Sequence, residues 1–410
     1  MGVGQRKPKV SLALKNKIIF KGDTYMRKNF IKTTAILMSV MLMATTNVVA
    51  EESEYYNENQ NSKNQYLGLD KDDFLSTQDY EKYLLSLSPE QQISTFSMPD
   101  LKPTKTVKSN VTYNFNFSSA ACSLAIQNFC FASDGYIYVT QNSGGNDGYN
   151  KTAVAGDVIL SRCKLSNNEI NVIDSMILKG VGHGQTLENY TYKSKSYFLI
   201  STESNKVNNV YWSTQIGRIQ YAANTTINAS NINRLNYLSY ANKDMKSSGT
   251  VKRCDAAISS NNDYLLIWAK LSGDNSEPIQ YSCYDFNTIN QQLDKATKVS
   301  FKGNNTLKGA LKYSILQRGS KKIFPQSSFQ GIEVTNNMNM YISSGKIDDS
   351  PWICNVTKSG TWKSTVKVAF EDISRFEMEG IKIRGDYIYF AAKVSDGNGK
   401  IGRISKSELD

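Results

Sequence analysis

The stretch Gln330–Ser344 reads QGIEVTNNMNMYISS, and its reading decides the fold. A polar residue opens it, and two apolar positions, Ile332 and Val334, follow at period two. Thr335–Asn337 is an Asn-rich turn, and Met340–Ile342 is a second apolar run. Alternation, turn and alternation describe a β-hairpin. The phrase recurs. Gln127–Gln141 (QNFCFASDGYIYVTQ) aligns with it without a gap, and Glu379–Ala392 (EGIKIRGDYIYFAA) is one residue shorter in the turn. Gln185–Thr202 is looser but opens the same way. Asp255–Ala269 (DAAISSNNDYLLIWA) is a fifth copy, in a register good to about one residue.

A two-stranded hairpin is marginal in water, so each unit needs more strands. Further alternating runs supply them: Asp157–Leu165 and Glu169–Leu178 after the first copy, Pro351–Val356 and Thr361–Phe370 after the fourth. After the fifth copy one more strand remains, Lys400–Ser405. Asn110–Phe117 (NVTYNFNF) can supply its missing neighbour from the other end of the chain. Four strands per repeat with unequal loops predict an all-β, five-bladed β-propeller closed by an N-terminal strand. Such closure leaves no long exposed edge. The rival, a pair of β-sandwiches, does not explain the repeated phrase.

Three segments divide the 410 residues. Residues 1–50 carry nine Lys/Arg and one Asp. From Met26 they read as a secretory signal peptide: Arg27, Lys28 and Lys32, an apolar run Ala35–Ala44, then small residues ending at Ala50. The apolar run is too short to span a bilayer as a stable helix. Residues 51–105 hold eleven of the acids before Leu101, with one helix expected over Phe74–Leu87 and an extended linker after Pro89. Residues 106–410 form the propeller domain and carry a strongly basic balance within the overall +11. The 24 Tyr and only 7 Pro mark a globular, β-leaning composition. A basic exported domain favours anionic partners, though charge also serves plain solubility.

Chemistry motifs are few. The six cysteines include no CxxC pair, and Cys163, Cys283 and Cys354 fall on third strands of different repeats, so buried thiols rather than bridges are expected. HExxH, GxSxG and P-loop patterns are absent. The single histidine, His183, cannot make a His-based zinc site alone. It is expected to pack near the channel mouth and bond to backbone. No metal and no cofactor are expected. The first strand of each repeat would line the central channel, placing Gln127, Gln185, Asp255, Gln330 and Glu379 at equivalent positions, with Glu377 beside them. Glu188 and Glu333 follow three residues after their glutamines. Two readings of this ring stand. Glu188, Glu333 and Glu379 are the candidate acids of a glycan-cleaving site; or the ring side chains cap backbone groups and hold blade to blade.

Several segments from about Lys179 onward carry a family resemblance: GHGQTLE (182–188), WSTQIGRIQ (212–220), RLNYLS (234–239), DAAIS (255–259), YDFNTINQQLD (284–294), QGIEVTNNMNMYISS and EMEGIKI (377–383). The chain resembles helveticin J and its relatives, the large heat-labile bacteriocins. It departs where the family usually has HxQTWE, reading HGQTLE, and where the family has HAEAAVS, reading RCDAAIS with Cys254 and Asp255. The resemblance implies a secreted antibacterial protein acting on the envelope of related Gram-positive cells: anionic wall polymer, glycan or lipid. It implies no transferable catalytic residues. A monomer without a nucleic-acid partner is expected, meeting membrane only as target or through an uncleaved signal segment. The alternatives are an exported glycan-binding or glycan-hydrolysing propeller, and a surface protein, for which the chain ending at Asp410 offers no anchor.

Overall fold

A computed structural model describes residues 103–120, 122, 124–143, 153–207, 210–272, 277–317, 328–345, 350–394 and 399–410. The signal segment and the acidic segment with its helix lie outside these residues.

The quoted phrases are antiparallel hairpins, each extended into a meander. Two strands come first, β1 (Lys105–Ser109) and β2 (Val111–Phe115). The first meander is β3 (Ile126–Phe131), β4 (Ile137–Asn142), β5 (Val158–Ser166) and β6 (Glu169–Lys179). The second is β7 (Leu187–Tyr192), β8 (Lys195–Val207) and β9 (Val210–Ile219), then, past the short β10 (Thr226–Asn228), β11 (Asn233–Asn236). In the third, β12 (Thr250–Ile258), β13 (Tyr264–Ser272) and β14 (Ile279–Asp285) lead into an insertion. That insertion holds α1 (Phe286–Leu293), β15 (Lys298–Ser300) and α2 (Asn305–Ala310), before β16 (Leu311–Gln317) completes the sheet. The fourth is β17 (Phe329–Val334), β18 (Met340–Ser344), β19 (Trp352–Val356) and β20 (Trp362–Phe370). The last is β21 (Phe376–Arg384), β22 (Tyr387–Val394) and β23 (Gly399–Ser405).

The last meander lacks a fourth strand of its own, and β2 fills the place antiparallel to β23, Val111 opposite Gly402. β2 also touches β6 in parallel, joining the first and last meanders into one sheet. β1 lies parallel to β20 as a fifth strand of the fourth meander, a strand that the sequence reading did not assign. Asp285 opens α1 by accepting from the Thr288 amide, which explains the YDFNTINQQLD segment: Asp285 caps, and Phe286, Ile289 and Leu293 turn inward.

Alternation sends successive residues to opposite faces, and both faces of each meander are buried. On β13, Leu265 and Ile267 pack toward the second meander, while Leu266 and Trp268 pack toward the fourth. The core is accordingly five apolar layers, one between each pair of neighbouring meanders. The fifth layer sets Phe129, Ile137 and Val139 against Tyr389, Ala391 and Ile401, returning the last meander to the first. The first strands β3, β7, β12, β17 and β21 contact one another in succession, and β21 meets β3. The architecture is thus mostly β with a closed ring of inner strands. All six cysteines are buried and, among the described residues, form no disulfide. Cys283 and Cys354 line the same layer between the third and fourth meanders.

Candidate functional site

The ring of first strands gathers the polar residues singled out in the sequence. The register shifts in β3 between Ile126 and Asn128, in β17 between Phe329 and Gly331, and in β21 between Met378 and Ile381. Gln127, Gln330 and Glu379 are therefore bulge residues. A bulge adds one residue to one strand and re-aims the side chains around it. That is why a residue three positions on can return toward the ring centre, although plain alternation predicts two or four.

The third copy sits one residue away from its expected register. Ile332, Ile381, Phe129 and Leu187 pack toward the preceding meander, as does Ala256. Counting back two residues gives Gln330, Glu379, Gln127 and Gln185, but Cys254 rather than Asp255. Asp255 belongs to the next belt, with Asn128, Thr186, Gly331 and Gly380. There the strands approach closely: a Cβ on Gly331 would stand 3.2 Å from Gly380 Cα. The Asn128 amide donates to the Gln185 carbonyl, and the Thr186 hydroxyl donates to Asp255 Oδ1 at 2.6 Å. Asp255 Oδ1 also accepts from the Ala256 amide at 2.7 Å, while Oδ2 has no partner among the described residues. Burial pushes the Asp255 carboxyl up to about 7, against the Thr186 hydrogen bond. Gln127 Oε1 is likewise buried without a partner among them.

Two belts further along, three residues from three meanders make one buried ionic cluster. Lys382 Nζ donates to Glu333 Oε1 at 2.7 Å and to Glu188 Oε1; Glu333 Oε2 accepts from the Ile383 amide at 3.0 Å. All three side chains are buried. Burial, then the neighbouring Glu333, holds the Glu188 carboxyl well above the usual carboxylate range. Burial opposes charge on Lys382, but the two carboxylates outweigh it and hold the ammonium above its ordinary value. Two of the three candidate acids are therefore committed to a lysine the sequence reading missed. Glu379 is buried elsewhere, its carboxyl pushed up by burial and then by Glu377.

Where the first strands begin, the lining changes character. The Arg253 guanidinium lies over the Trp212 ring at 4.2 Å, the Phe329 ring at 5.3 Å and the Trp268 ring at 5.6 Å. Its Nε donates to Gln185 Oε1 at 2.6 Å and its Nη2 to the Phe329 carbonyl at 3.0 Å. Trp212 is half-buried and packs on the His183 ring with centroids 4.5 Å apart. His183 Nδ1 pairs with the Asn142 side-chain amide at 3.2 Å, not with backbone as expected from sequence. Burial, then Arg253 and Lys393, pushes His183 down to about 3, so it is neutral at physiological pH. Gln330 Nε2 donates to the Gly345 carbonyl at 3.0 Å and to Glu377 Oε1 at 3.1 Å, and Glu377 Oε2 meets Lys393 Nζ at 3.4 Å. No cluster of three or more His, Cys, Asp or Glu suited to a metal occurs among the described residues.

The family model for the bacteriocin helveticin J matches residues 145–388. The chain belongs to the helveticin J family. Within this family member the match spans the second, third and fourth meanders entire, and with them Arg253, Trp212 and the Glu188–Lys382–Glu333 cluster. No curated protein matches it. Among solved structures it is similar to an exo-β-1,3-galactanase from Phanerochaete chrysosporium, at 8% identity and a TM-score of 0.42, over 73% of this chain and 64% of that one. It is also similar to Drosophila Semaphorin 1b, extracellular domains 1–2, at 11% identity and a TM-score of 0.32, over 68% and 63%. The helveticin J-like chain spans less than two thirds of the length of either.

Proposed function

We propose that this chain is a secreted bacteriocin-like protein that binds the envelope of related Gram-positive bacteria and disrupts it without cleaving the wall. Its five meanders are read as the blades of a five-bladed propeller closed by β2. The face carrying Trp212, His183, Arg253, Gln330 and Glu377 is read as its recognition end. Family membership across residues 145–388 carries the bacteriocin reading. The buried cluster supports a non-hydrolytic action. A glycosidase needs one carboxyl to hold a transferable proton and a second to attack or activate water. Glu188 and Glu333 are instead both buried against one lysine, away from solvent.

The test follows entry of an impermeant dye and release of soluble wall fragments together, in growing Gram-positive indicator cells given the purified protein. Dye entry without fragments is the expected outcome. Fragments appearing before the dye would replace this reading with glycan hydrolysis and make Glu379→Gln the first substitution to assay.

A further inference from the structure

Four cationic side chains are buried among the described residues: Arg218, Arg234, Arg253 and Lys382. Arg218 pairs with Asp294, Arg234 with Glu203 at 3.3 Å, and Lys382 with Glu188 and Glu333. Among these four, Arg253 alone has no described carboxylate within ion-pair distance, although it is only 8% exposed. A buried charge without a counter-ion is costly, because desolvation is not offset by an opposite charge. Stacking on Trp212 offsets part of this but supplies no anion.

Two buried acceptors on the ring lack donors among the described residues: Asp255 Oδ2, two residues along β12 from Arg253, and Gln127 Oε1 on β3. Arg253 feels Asp255 and Glu379 only from beyond ion-pair distance, and the unfilled acceptor oxygens lie on the same ring, so an anion that carries hydroxyl groups matches both. Half-buried Trp212 and neutral His183 add flat apolar surface, suited to the C–H face of a pyranose. We infer that the recognition end takes an acidic sugar: its carboxylate or phosphate oxygens meet Arg253, its hydroxyls donate to the unfilled acceptors, and its ring lies against Trp212. Both oxyanions suit a guanidinium, which presents its donors in a fixed fork. This inference rests on reading that end of the ring as the recognition surface.

The experiment titrates the purified protein with glucuronate, glucose 6-phosphate and uncharged glucose, following tryptophan emission and heat in parallel. At least one acid is expected to saturate the protein with affinity tenfold or more above that of glucose. Preference for phosphate points to a phosphodiester polymer as source, and preference for carboxylate to a uronate-type polymer. Arg253→Gln is expected to erase the preference. Should that variant fail to fold, Trp212→Ala, at a half-buried position, is expected to weaken the acid at least fivefold. Wild-type protein that binds neither acid better than glucose would overturn the inference. So would Arg253→Gln, or Trp212→Ala in its place, that binds the acid as wild type does. Killing is scored separately. Acid binding without killing removes the bacteriocin reading and leaves this site; killing without acid preference removes the site and leaves that reading.

Discussion

Lys382 is the residue on which the ring centre depends. It holds two carboxylates from strands far away in sequence, Glu188 194 residues distant and Glu333 49 residues distant. Removing one partner of a buried pair leaves an uncompensated charge, at a cost of about 3–5 kcal/mol. Lys382→Met is therefore expected to lower stability by about that amount, read from the urea midpoint. Glu188→Gln should cost less, because burial and the neighbouring Glu333 already disfavour charge on that carboxyl. The sign of the pH effect follows. Glu188 is held above its ordinary value of 4.5, so the folded state keeps a proton that the unfolded chain releases. This group's contribution is complete below 4.5 and declines as pH rises past it. Denaturation across about pH 4–8 should show a shallower decline in Glu188→Gln than in wild type; an equal slope would remove Glu188 as the cause.

At the scale of the element, the bulged first strands matter most. Gly380 follows the bulge residue Glu379, and a Cβ there would stand 2.3 Å from Asn128 Oδ1 and 3.0 Å from Asn128 Cα. Asn128 is itself held by its bond to the Gln185 carbonyl. Gly380→Ala should push β21 and β3 apart, with an expected loss of about 1–3 kcal/mol, the usual cost of overpacking. Gly385, in the turn before β22, would leave an added Cβ with no atom within 4 Å, but its φ is +57°. Gly385→Ala thus separates backbone strain from crowding: thermal melts of the two variants should show the larger drop for Gly380→Ala. The repeated opening residue of the phrase was legible because it repeats. The bulge that aims it was not, since a bulge is a relation between two strands.

For the whole molecule, ring closure rests on one short strand. β2 pairs with β23 on one side and β6 on the other, and Lys400 Nζ donates to Asn114 Oδ1 at 2.7 Å across the seam. Removing residues 1–116 exposes the edge of β23 and opens the fifth apolar layer, which includes Phe115. Exposed edges recruit other chains. The shortened protein is expected to associate on size-exclusion chromatography and to unfold with a shallower urea slope than the full chain. A monomer with an unchanged urea slope would show that β2 is dispensable.

Local pattern in the sequence determined the hairpins, their extension into meanders, and the N-terminal strand that completes the last one. Period-two alternation is a property of a few adjacent residues, so it survives without knowledge of the fold. The family was legible in the same way, through short contiguous segments. Only tertiary structure decided the partners at the ring centre. Whether Glu188 is a proton donor or half of a lysine clasp depends on which strand lies opposite it, and ring closure sets that. The one-residue shift of Asp255, the fifth strand β1, and the stacking of Arg253 on Trp212 arise likewise from contacts between elements distant along the chain. Charge pairing acts over a few ångströms of space, and sequence spacing does not report such distances when the chain returns to its starting point around a ring.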